Sequence, residues 1–147
     1  MIYLDGSSLT IDQVVEIARN KAEVGLSEEA KKNIQISRDI VEKNIEEKKV
    51  IYGLNTGFGK FVNVAISENE LDKLQLNLIL SDAVGVGDPF KQDVTRAIML
   101  LRVNALAKGF SGIRLSTVET MIAMLNKGVH PVIPEKGSVG SSGDLCP

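Results

Sequence analysis

Two serines and a glycine stand side by side at Ser141, Ser142 and Gly143 in the run GSVGSSGDLCP, and that order permits an unusual intramolecular reaction. The backbone nitrogen of Gly143 can attack the carbonyl carbon of Ser141, because a residue without Cβ lets its amide approach closely. Ser142, between them, can then lose its hydroxyl as water and leave an exocyclic methylidene on the ring. Ser141 contributes only its carbonyl, so its side chain is loosely constrained. The product is an electrophile, a reactivity otherwise missing from protein side chains. The same letters also suit a flexible Ser/Gly tail, or a loop entering a helix capped by Ser142 or Asp144.

Other chemistry-bearing residues are scarce. His130 is the only histidine and Cys146 the only cysteine. No intrachain disulfide and no ordinary four-ligand metal site can be built from them. A Ser-His-Asp hydrolase would have to use His130 as its base. Tyr52 opens a second Gly-rich segment, YGLNTGFG, which ends at Gly59. Dense glycine points to a backbone requirement such as a positive φ, a tight turn or a close ligand. Taken alone, Tyr52 reads as a half-buried core tyrosine.

The elements that must position these groups are mostly helical. Thr10 with Gln13 forms a capping box before Val14, Val15, Ile17 and Ala18, an apolar face expected to run up to Gly25. Ser27 caps a second helix with Ala30, Ile34, Val41 and Ile45 on its inner stripe. Ser67 and Glu70 open a third. Its run Leu74, Leu76, Leu78, Ile79 and Leu80 is apolar nearly all round and implies deep burial. A fourth helix is expected from Lys91 to Lys108 with Gly109 as its stop, and a fifth from Ser116 and Glu119 to Lys127 and Gly128. Strand signals are confined to Val50–Leu54 and Val129–Ile133.

The balance of 17 basic and 19 acidic residues, a net charge of −2, is interspersed along the chain. That pattern argues against nucleic acid or a membrane surface as a partner. No apolar run approaches the roughly 18 residues of a membrane helix. The start MIYLDGSSLT lacks the pattern of a secretory signal, so a cytoplasmic protein is expected. With 44% apolar residues, one globular domain is within reach.

The run from Gly137 to Leu145 resembles the signature of the aromatic amino acid ammonia-lyases, which form 4-methylidene-imidazol-5-one (MIO) from Ala-Ser-Gly. LDGSSLT, IYGLNTGFGKF, LQLNLILS with GVGDPF, RVNALAKGFSGIR and LNKGVHPVIPEKGSVG are similar to the histidine ammonia-lyase branch, in that order. The resemblance implies a mainly α fold, the N-terminal helical domain of the ammonia-lyase/fumarase-like superfamily, with only short strands. It makes residues 1–147 that domain, ending just after the MIO-forming loop, with the C-terminal helical core beyond it.

The family's roles carry over residue by residue. Ser141, Ser142 and Gly143 become the MIO precursor, so no external cofactor is implied. Tyr52 becomes the base that takes the substrate's β-proton, and Gly59 lines the substrate pocket. A phenol can act so only with its pKa lowered by nearby positive charge or hydrogen bonds. Asn55 and Thr56 hold the Tyr52 loop through side-chain to backbone bonds. Asn104 and Ser111 take structural roles, His130 a turn or packing role, and Asp144 a role in holding the ring-forming loop taut. The implied reaction is non-hydrolytic deamination of L-histidine to trans-urocanate, by a homotetramer of the full-length parent; the fragment alone is expected to be inactive.

Three positions depart from the pattern. Ser141 replaces the usual Ala, a change the ring chemistry tolerates. Cys146 stands where Ala is frequent. Asp82 stands where the histidine-specific branch carries a His that helps bind the imidazole. An Asp can accept a hydrogen bond from an imidazole N–H or pair with imidazolium. It would equally suit another substrate with a donor or a cation, or simply cap a helix. A related lyase or aminomutase acting on tyrosine, phenylalanine or a histidine derivative therefore stays open, as does a non-enzymatic helical interaction domain.

Overall fold

The computed structural model describes residues 1–51, 73, 76, 77, 79, 80 and 83–137. These form two compact units, Met1–Val41 with Phe90–Val132, and Glu42–Pro89 with Ile133–Pro147. The architecture is mainly helical with short strands, as expected.

In the first unit β1 (Ile2–Leu4) pairs in parallel with β2 (Val24–Leu26), in the register Ile2 with Val24 and Leu4 with Leu26. Between them lies α1 (Ile11–Ala18), opened by the expected capping box. Gln13 N donates to Thr10 Oγ1 at 3.3 Å and Thr10 N to Gln13 Oε1 at 3.0 Å. The helix ends well before Gly25. Lys21 adopts φ +58° and the following residues are drawn into β2, whose Val24 and Leu26 are buried. Helix α2 (Glu28–Glu46) starts at Ser27, whose Oγ accepts from Ala30 N at 3.1 Å. Ala30 and Ile34 are buried and Val41 is half-buried, while Ile36 and Ile40 face out.

Helix α3 (Gln92–Leu106) runs one to two residues short of its expected limits. Helix α4 (Leu115–Lys127) has no side-chain cap, because Arg114 occupies the N-cap and Ser116 already lies inside the first turn. Its end is as expected, with Gly128 left-handed at φ +71°. Leu4, Ile17, Leu26, Ile34, Leu100, Val103, Val118 and Leu125 close one apolar core.

Arg96 of α3 is only 2% exposed and lies beside that core. Its guanidinium donates to Ile17 O at 2.8 Å, Ala18 O at 3.2 Å and Leu125 O at 2.7 Å. One cation thus satisfies terminal carbonyls of both α1 and α4, where helix dipoles favour positive charge. Asn126 adds a second link, its amide accepting from Val24 N at 3.0 Å and donating to Val24 O at 2.8 Å.

In the second unit β3 (Val86–Pro89) pairs antiparallel with β4 (Pro134–Lys136). The expected strand at 129–133 is instead irregular, and pairing begins at Pro134. Val50 and Ile51 are not strand, and 52–54 lie outside the described residues. Lys73, Leu76, Asn77, Ile79 and Leu80 are helical, which agrees with the third helix. Deep burial is not found for its described leucines and isoleucine: Leu76, Ile79 and Leu80 are 55%, 66% and 65% exposed. A helix apolar on every side presents more surface than a single packed face can cover. No helix among the described residues is long and apolar enough to cross a membrane.

Candidate active site

Tyr52, Gly59, Asp82, Ser141, Ser142 and Gly143 lie outside the described residues, as do Asn55, Thr56, Asp144 and Cys146. What the structure gives is the framework that leads to two of them. The β3–β4 ladder sets Val86 opposite Lys136 and Pro89 opposite Pro134. Asp82 is four residues before Val86, and Ser141 is five residues after Lys136. In an antiparallel pair the start of one strand meets the end of the other. The chain from Asp82 therefore enters the ladder at the end from which the chain to Ser141 leaves.

The quoted segments nearer the first unit have structural explanations. In LDGSSLT, Asp5 Oδ1 accepts from Ser7 N at 2.7 Å and Ser8 N at 2.8 Å. These backbone bonds hold its carboxyl down from the usual 3.8 to about 2, the Ser7 bond contributing most. Gly6 then passes α3 at φ +86°, so close that a Cβ would stand 2.9 Å from Lys108 N. In RVNALAKGFSGIR, a Cβ on Gly109 would meet the Asn33 backbone at 2.6 Å, at φ +74°. Gly112 N donates to Ser37 Oγ at 2.9 Å, and Arg38 Nη1 donates to Gly112 O at 3.3 Å. That segment is a clamp of the α3–α4 turn onto α2.

Asn104 lies in α3 and Ser111 in the exposed turn that follows. His130 packs against the first residue of α3, with the Gln92 amide nitrogen hydrogen-bonded to its Nε2. Among the described residues Asn104 Oδ1 and His130 Nδ1 are buried without a partner. No three acidic, histidine or cysteine side chains converge among the described residues. Arg96 was not singled out from the sequence, since a lone Arg in a helix carries no local mark of its carbonyl partners.

A family model described as aromatic amino acid lyase matches residues 9–147. Histidine ammonia-lyase from Caldanaerobacter subterraneus subsp. tengcongensis is 60% identical over 146 residues, which is 99% of this chain. The chain spans 29% of the length of that relative and of other curated relatives it matches. Among solved structures, histidine ammonia-lyase from Trypanosoma cruzi superposes with a TM-score of 0.86 at 40% identity, covering 93% of this chain and 26% of that one. Tyrosine aminomutase from Streptomyces globisporus gives the same TM-score at 38% identity and the same two coverages.

Proposed function

This chain belongs to the aromatic amino acid lyase family, and from that premise we propose that it is the N-terminal part of a histidine ammonia-lyase. The reaction is removal of ammonia from L-histidine to give trans-urocanate, without hydrolysis. The observation that carries this reading is the family match over residues 9–147 with a serine and glycine in the two ring-forming positions, 142 and 143.

The donor set at 141–143 fits the MIO group: a carbonyl from Ser141, a dehydratable hydroxyl on Ser142 and an unhindered amide on Gly143. Once formed, that group would supply an electrophile for the substrate's amine or, in the competing route, for its aromatic ring. Tyr52 takes the β-proton, which is not acidic, so the phenolate must be held aimed at it. Gly59 lines the pocket, and Asp82 accepts from the imidazole N–H of the substrate.

A chain of this extent acts within a longer polypeptide. The 29% coverage of relatives supports that reading, as do the exposed Leu76, Ile79 and Leu80, which await a cover. We take the parent to be a cytoplasmic homotetramer, with the part described here inactive by itself. Asp82 in place of histidine favours one second reading, an aminomutase or lyase acting on tyrosine, phenylalanine or a histidine derivative. The likeness to a tyrosine aminomutase is in keeping with it.

Full-length protein incubated with L-histidine should accumulate urocanate, followed by its ultraviolet absorbance, and its intact mass should lack two waters. A protein with the mass deficit and no urocanate moves the substrate to another amino acid. A mass equal to the unmodified chain removes the lyase reading.

A further inference from the structure

The turn between α3 and α4 holds a large apolar side chain out of the core on a backbone that is fixed in place. Phe110 is 89% exposed and stands between Gly109 at φ +74° and Gly112 at φ +65°. Both glycines press onto α2, where a Cβ on Gly109 would meet the Asn33 backbone and one on Gly112 the Val41 side chain. The bonds from Gly112 N to Ser37 Oγ and from Arg38 Nη1 to Gly112 O fasten the same turn. A single exposed phenylalanine is ordinary on a protein surface. This one belongs to a patch: with Ile36 and Ile40 of α2 it lines one groove of about 390 Å³. Ile36 is 59% exposed and Ile40 58%. Four residues apart on a helix, they make one ridge.

An apolar surface on a backbone already ordered gains the free energy of burial without a further ordering cost. A ridge at i and i+4 beside a groove suits an amphipathic helix that presents anchors at the same spacing. Area decides between the sources of such a helix. Three side chains are a small part of the about 800 Å² per partner in a stable interface, so this patch by itself would not hold a second copy. A segment of the same polypeptide meets the patch at an effective concentration in the millimolar range and needs no such area. The chain spans 29% of the length of its curated relatives, so a parent of their length has ample polypeptide to supply one.

We propose that Phe110, Ile36 and Ile40 form the seat of an amphipathic helix supplied by the same polypeptide beyond residue 147. The proposal rests on the reading above that this chain is part of a longer lyase.

The test places a photo-crosslinking aromatic at the turn of the full-length protein, as Phe110→p-benzoylphenylalanine, with folding checked by circular dichroism. After irradiation, a denaturing gel separates cross-links within one polypeptide, which run at monomer mass, from those between subunits, which run at dimer mass. Peptide mapping then identifies the attached segment. A monomer-mass product joined to a peptide beyond residue 147 is expected. A dimer-mass product makes a second copy the occupant and overturns the proposal. So does attachment to a peptide within residues 1–147, or no cross-link at all. Phe110→Ser provides an independent reading in the same full-length protein. A covered phenylalanine should lower the thermal midpoint by about 2 °C or more when removed. A midpoint within about 1 °C of wild type shows the side chain in water and overturns the seat. Ring content by intact mass, read on the wild type, tests the lyase reading separately. A ring-free parent with the monomer-mass cross-link loses that reading and keeps the docking surface.

Discussion

Replacing Arg96 by methionine keeps much of the side chain's length and apolar stem while removing every donor. The carbonyls of Ile17 and Ala18 then lose this donor, and that of Leu125 keeps only Gly128 N at 3.3 Å, in a site where Arg96 is 2% exposed. A hydrogen bond to a charged group contributes about 1.5–3 kcal/mol net, so three sum to roughly 4.5–9 kcal/mol. Water entering the vacated polar space and the removed cost of burying a cation offset part of that. We expect a loss of about 4 kcal/mol, a large share of a typical domain's 5–15 kcal/mol. Arg96→Lys should cost about half as much, since one ammonium cannot fork across two helix ends. The chain has no tryptophan, so urea unfolding is best followed by far-ultraviolet circular dichroism. Hydrogen exchange should localise the loss to the last turns of α1 and α4. A methionine variant within about 1 kcal/mol of wild type would refute the reasoning, because the helix-end carbonyls would then need no buried donor.

Other expectations follow from the same structure. Asp5 has its carboxyl lowered to about 2 by the Ser7 and Ser8 amides, so the stability it adds is full above 3.8 and fades as pH falls toward 2. Wild type and Asp5→Asn should therefore differ in thermal midpoint at neutral pH and converge below about pH 2. Gly109→Ala, which drives a Cβ to 2.6 Å from the Asn33 backbone at positive φ, should cost about 3 kcal/mol in urea unfolding. Asn126→Ala leaves both Val24 backbone groups without their side-chain partner and should cost about 1–3 kcal/mol by the same assay. On the lyase reading, Tyr52→Phe should lower kcat by about 10²–10⁴-fold while intact mass still shows the ring.

Local rules made part of this fold legible in advance. The Thr10–Gln13 box, the Ser27 cap and the Gly109 and Gly128 stops all involve partners within a few residues, so the sequence displays them directly. The two short strands of the first unit were not legible. Three residues such as Ile2–Leu4 carry no alternation to read, and their pairing with Val24–Leu26 is a parallel contact made only when α1 folds between them. The same contact decides where α1 ends. Ser116 with Glu119 does not open α4, which starts at Leu115 with Arg114 at its N-cap.

For the site, the order Ser141, Ser142, Gly143 permits cyclisation, a reaction between neighbours along the chain, but the same letters suit a flexible tail, and only the family resemblance chose between them. Tyr52, Gly59 and Asp82 are proposed through family resemblance alone, since a tyrosine, a glycine and an aspartate announce no chemistry by themselves. Tertiary structure decided what no spacing contains. Arg96 reaches carbonyls up to 79 residues away, and the β3–β4 register joins the approach from Asp82 to the departure toward Ser141. Partners so distant in sequence are chosen by packing and hydrogen-bond satisfaction across the folded chain, and local composition leaves no trace of them.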